Sequence, residues 1–280
     1  MTLTLQHRQA VASAGTLSLS REDITFTNVT PELVHIEITV CNDGPGRSQP
    51  TAAFLHAAPL GAFVPWRPLG FVAVPALEPG QPFVLRTGAL RTLPAPLGPP
   101  DRVRPRQLLT ALGAEDNRPR ADAGTTQGLP ADLFQLIGQG SVHWAGNLNV
   151  FIGGKAVERH MAQALRVYPG RVNLAMFVVG AGADAYRFWL EGDAVAWDAT
   201  LYDGTEQHKA IELHSHNIIT ADRWVEVTTQ RLMLLALRPP QHCAEGKVDV
   251  HVAQRSTGQE AVVEFSLDPK AAGPGCYVVG

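Results

Sequence analysis

The sequence predicts an all-β protein of two antiparallel sandwiches, and three observations carry that expectation. Short runs of alternating apolar and polar residues recur along the chain, as in Val34, Ile36, Ile38 and Val40 against His35, Glu37, Thr39 and Cys41. Turn-forming clusters such as Asn42-Asp43-Gly44-Pro45-Gly46, Pro169-Gly170 and Asp203-Gly204 separate the runs at hairpin spacing. Of 280 residues, 45% are hydrophobic and 18% charged, which is enough for packed cores and too apolar for disorder.

The first ninety residues hold the clearest strands. Asp23–Val29 alternates Ile24 and Phe26 with Thr25 and Thr27, and Pro31-Glu32 turns the chain into Leu33–Cys41. Thr51–Ala57 reads as a third strand. Phe71–Leu77, the turn Glu78-Pro79-Gly80-Gln81-Pro82, and Phe83–Thr87 read as strand, tight turn, strand. Val40, Asn42 and Gly44, then Ser48, then Leu77, Pro79 and Gly80 form a strand, V-x-N-x-G, small polar run, strand and L-x-P-G series. Over about Ile24–Thr87 this resembles the CARDB-type immunoglobulin-like domains of bacteria. The resemblance implies a seven-stranded sandwich serving as an adhesion or spacer module without catalytic residues of its own.

Residues 91–140 change character. Pro94, Pro96, Pro99, Pro100 and Pro105 exclude a continuous helix or central strand. Arg86–Arg120 holds seven arginines against Asp101, Glu115 and Asp116, and no aromatic interleaves them as a nucleic-acid arm would require. At most short helices are expected here, over 106–113 and 130–137. From residue 141 strands resume: 141–152, 157–168 (favoured as a strand, with an amphipathic helix as the alternative), 171–179, 186–190, 194–202, 210–214, 224–237, 248–254 and 262–267. The expected organisation is therefore a CARDB-like sandwich over 1–90, a Pro/Arg-rich connector over 91–140, and a second immunoglobulin-like sandwich over 141–280.

Chemistry is thinly marked. No GxSxG elbow, phosphate-binding loop, dinucleotide fingerprint or HExxH helix occurs. His214 and His216 would share one strand face, and His208 could complete a zinc or other divalent-metal site. A net charge of −3 gives no case for nucleic acid, and no run of about 18 apolar residues marks a membrane span. Three cysteines, Cys41, Cys243 and Cys276, cannot all pair, and no signal peptide is visible, so a cytoplasmic location is expected. The leading reading is a non-catalytic scaffold or accessory subunit, with no cofactor, that binds another protein or assembles into a homo-oligomer or larger complex. Phe63, Trp66, Arg102, Arg104 and Arg106 are its candidate contacts. The rivals are a metal-dependent enzyme with a histidine site on the second domain, and a carbohydrate-binding module stacking sugars on Trp66, Trp189, Trp197 or Trp224.

Overall fold

Twenty strands in four sheets make up a computed structural model that describes residues 15–30, 33–92, 145–160, 163–203, 210–211, 224–242, 245–270 and 277–278. The fold class expected from the sequence is the one observed. Among the described residues there is no α-helix, only a 3-10 turn at Asp193–Ala196. The connector beyond Thr92, with its expected helices, lies outside the described residues.

Sheet I is centred on β3 (Leu33–Asn42). One side of β3 is taken by β1 (Leu17–Ser18) and β2 (Ile24–Thr30), and the other by β7 (Pro82–Arg86) and β8 (Leu90–Arg91). Sheet II runs β10 (Lys155–His160), β9 (Asn147–Ile152), β4 (Thr51–Ala58), β6 (Arg67–Val74). The alternation of β3 buries Val34, Ile36, Ile38 and Val40 against Ala53, Leu55, Leu148, Val150 and Ile152 of sheet II, which forms the first core. β6 and β7 flank the Glu78–Gln81 turn but do not pair with one another. The turn instead carries the chain from sheet II to sheet I.

The domain boundary expected at residue 141 is corrected by this pairing. Phe54 stands opposite Phe151, and Leu55 opposite Val150, so β9 and β10 complete the first sandwich rather than begin the second. Alternation shows that a strand is half-buried; it does not say which sheet covers it.

Sheet III runs β15 (Ala210–Ile211), β14 (Asp198–Asp203), β17 (Arg231–Arg238), β12 (Val172–Val179), β20 (Tyr277–Val278), and β5 (Gly61–Ala62) also pairs with β12. Sheet IV runs β11 (Gln163–Arg166), β19 (Glu260–Asp268), β18 (Gly246–Gln254), β13 (Asp184–Gly192), β16 (Val225–Val227). Phe177 and Phe265 meet edge-on in the core between these sheets, with ring centroids 6.2 Å apart. Leu232–Leu237 of β17 is buried throughout, the continuous apolar run of a strand covered on both faces. Arg231, buried at the start of that strand, bonds Asp203, so the charge is paired where water is excluded. The strand expected over 194–202 starts late: Gly192, at φ 90°, ends β13, and the 3-10 turn precedes β14. The strand expected over 224–237 is two strands, β16 and β17.

The two sandwiches share a segment. Between β4 and β6 the chain crosses to the second core and buries Leu60, Ala62 and Val64 there. It pairs in parallel with β12, placing Gly61 beside Val178 and Ala62 beside Val179. Asn147 ties this crossing to β9, its side-chain amide donating to the Pro59 and Gly61 carbonyls at 3.1 Å each.

Candidate functional site

The outer face of sheet II carries an aromatic row. In β4, Ala53 and Leu55 point into the core, so the period of two turns Phe54 outward. In β9, Leu148, Val150 and Ile152 point inward and Phe151 outward. Register then aligns the exposed rings: Phe71 opposite Phe54 on one side, Phe151 opposite Phe54 on the other, and Ala156 beyond Phe151. Phe71 is 68% exposed, Phe54 47% and Phe151 42%. Three exposed phenylalanines in one cross-strand row are a contiguous apolar patch rather than scattered surface hydrophobes. The Phe54 and Phe71 rings lie 6.2 Å apart and are tilted 47° to each other.

Small and polar residues frame the row. On one side Ala52 stands opposite Ala73; on the other are Pro68, His56, Asn149 and Glu158, one from each strand. Further along, His160 Nδ1 lies 2.9 Å from Asn147 Oδ1. The Asn147 amide nitrogen is already committed to two carbonyls, so Nδ1–H must be the donor in this bond. Burial pushes the His160 imidazole below its usual range, Arg21 acts in the same direction, and Glu158 and Glu264 oppose them.

The outer face of sheet IV holds a second cluster. The Arg187 guanidinium lies 5.5 Å from the centre of the Trp189 ring and 5.4 Å from that of Trp224, and Arg255 lies 5.9 Å from the Trp224 ring. Trp189 stacks on His251 with centroids 5.1 Å apart. Glu191 accepts from Trp189 Nε1 at 3.3 Å and faces His251 Nε2 at 3.3 Å.

The residues expected from the sequence fall elsewhere. Phe63 and Trp66, expected to be exposed, are instead half-buried against the second core. Phe63 packs 5.7 Å from the Tyr186 ring and holds a φ of 55°, a left-handed conformation that an aromatic residue adopts only under packing constraint. Arg102, Arg104, Arg106, His208, His214 and His216 lie outside the described residues. As a sugar platform the tryptophans fare poorly: Trp189 is buried, Trp197 packs partly into the second core, and cations lie over Trp224. Cys41 is free, and burial with Asp43 beside it pushes its thiol up, away from the thiolate a nucleophile needs.

Sequence reasoning passed over Phe54, Phe71 and Phe151. The available signal was a phase conflict: each strand carries one phenylalanine at the parity opposite its buried set.

No protein-family model and no curated protein matches the chain. Solved structures resemble it loosely. A family 123 glycoside hydrolase from Clostridium perfringens aligns over 43% of this chain and 20% of its own, at 6% identity and a TM-score of 0.15. Red sea bream transglutaminase aligns over 88% of this chain and 31% of its own, at 11% identity and a TM-score of 0.18. A structure described as manganese lipoxygenase of Gaeumannomyces graminis with partial zonadhesin of Komagataella pastoris covers 95% of this chain and 94% of its own, at 8% identity and a TM-score of 0.20. The chain thus spans under a third of the first two, and superpositions this loose carry no argument. Among the described residues, no helix is long and apolar enough to cross a membrane.

Proposed function

We propose that the protein is a non-catalytic scaffold or accessory subunit that docks another protein on the outer face of sheet II. The observation that carries this reading is the exposed Phe71–Phe54–Phe151 row. Aromatic residues are enriched at interface centres because they bury large apolar area at little entropic cost. The tilt between Phe54 and Phe71 does not suit a flat sugar surface, and Glu158, which flanks the row on β10, does not suit an anionic membrane.

Size indicates what kind of partner fits. Four strands about 4.8 Å apart, with eight residues of β4 at about 3.3 Å each, make a face of about 500 Å². A standard interface buries about 800 Å² per partner, so a second copy on this face alone would be held weakly. A heterologous partner that also touches a second surface fits better. On this reading the first sandwich serves as an immunoglobulin-like, CARDB-like interaction module.

The test compares proteins recovered from the native lysate with the wild type and with Phe54→Ser/Phe71→Ser/Phe151→Ser, after circular dichroism shows that the variant is folded. A stoichiometric protein retained by the wild type and lost by the variant supports the reading. Identical recoveries contradict it.

A further inference from the structure

The Arg187–Trp224–Arg255 cluster on sheet IV has the composition of an anion site that no carboxylate among the described residues fills. Arg187, from β13, sits between two indoles, and Arg255, from the β18–β19 turn, shares Trp224 with it. The Arg255 position is fixed by its backbone N–H, which donates to the Ala185 carbonyl at 2.9 Å. A guanidinium stacked on a ring keeps its N–H donors in its own plane, free to meet a planar acceptor edge-on. Among the described residues neither guanidinium makes an ion pair or a side-chain hydrogen bond.

The neighbouring carboxylates are occupied. Asp184 accepts from the Ser256 hydroxyl, from Gln254 Nε2 at 2.7 Å and from the Ala185 amide at 2.8 Å. Glu191 is taken by Trp189 and His251. Glu226, exposed beside Ala185, makes no ion pair with either arginine. Two cations are thus held by aromatic contacts, while among the described residues Asp184 and Glu191 are engaged elsewhere and Glu226 pairs with neither. Arginines in such a setting recognise carboxylates in a bidentate manner.

We infer that Arg187, Trp224 and Arg255 form a binding site for the carboxylates of an acidic peptide segment. This rests on the proposed function, since it supplies the second surface that a protein partner would touch. Carboxylate is favoured over nucleic-acid phosphate because, among the described residues, no lysine joins the cluster to extend it along a phosphate backbone.

The experiment is isothermal titration calorimetry of the full chain with a capped hexaglutamate peptide at low salt, with inorganic phosphate and single-stranded oligothymidylate as separate titrants. Saturable peptide binding is expected, weakened at least tenfold by Arg187→Gln/Arg255→Gln and by the exposed single change Arg255→Gln. Arg255→Lys should restore only part of it, because an ammonium keeps the charge but loses the fork. No saturable binding by the wild type, equal affinity in the folded Arg255→Gln protein, or phosphate or oligothymidylate binding as tightly as the peptide would overturn the assignment. Failure here, with partner recovery still dependent on the phenylalanine row, removes this site alone. Peptide binding that survives when recovery is indifferent to the row removes the docking face alone.

Discussion

Asn42 and Leu77, thirty-five positions apart, are joined by a 2.8 Å hydrogen bond from the buried Asn42 side-chain amide to the Leu77 carbonyl. The same amide donates to the Gly46 carbonyl at 2.8 Å, while Asn42 Oδ1 accepts from the Gly44 and Thr16 amides at 3.0 Å each. Ser48 adds a reciprocal pair with Leu77, each backbone N–H of the two satisfied at 2.9 Å. One asparagine thus closes the turn after β3 and fastens it to the turn that leads into β7. Asn42→Ala should lower stability by about 3 kcal/mol, since it strands several buried backbone groups at once. Asn42→Asp should also destabilise, because a carboxylate cannot donate to two carbonyls. Urea denaturation would show a lower midpoint at unchanged slope in both variants.

The junction between the sandwiches depends on a missing side chain. A Cβ at Gly61 would collide with the Val178 carbonyl, and one at Gly146 with the Leu60 backbone. Gly61→Ala should therefore cost roughly 2 kcal/mol by forcing β5 away from β12. Hydrogen exchange would locate the damage: the Val178 amide, which donates to Leu60 O at 2.9 Å, and the Gly180 amide, which donates to Ala62 O at 3.0 Å, should lose protection, while the centre of β3 keeps it.

His160 should give the protein a pH dependence on the acid side of neutrality. Its folded-state affinity for a proton is lowered by burial, so the unfolded chain binds the proton first. Stability is then level above the ordinary imidazole value of about 6.5 and falls as the pH drops from there towards the lower folded value. His160→Gln should flatten that part of the profile. Thermal midpoints of the two proteins between pH 7.5 and 5 would check the sign.

Strand positions were legible in the sequence because a half-buried strand repeats every two residues whatever its partner. Partner choice was not. Asn147–Ile152 carries the same alternation whether it joins the first sandwich or the second, and only the long-range match of Val150 with Leu55 decides. The partial burial of Phe63 and Trp66 was not legible for a related reason: a segment rich in proline and glycine reads as surface loop, yet here it crosses to the second core. The phenylalanine row was half-visible, since each ring breaks its strand's phase, but the alignment of three such breaks exists only once the sheet is assembled.

The central claim is that sheet II presents a protein-docking face, and site-specific photocrosslinking tests it most directly. A benzophenone side chain would replace Phe71, 68% exposed in the row, and in a second protein Val84, 46% exposed on β7 of the opposite sheet. Irradiation in the native lysate should give a discrete heterologous adduct from position 71 and none from position 84. The same adducts from both positions, or none from position 71, would contradict the account.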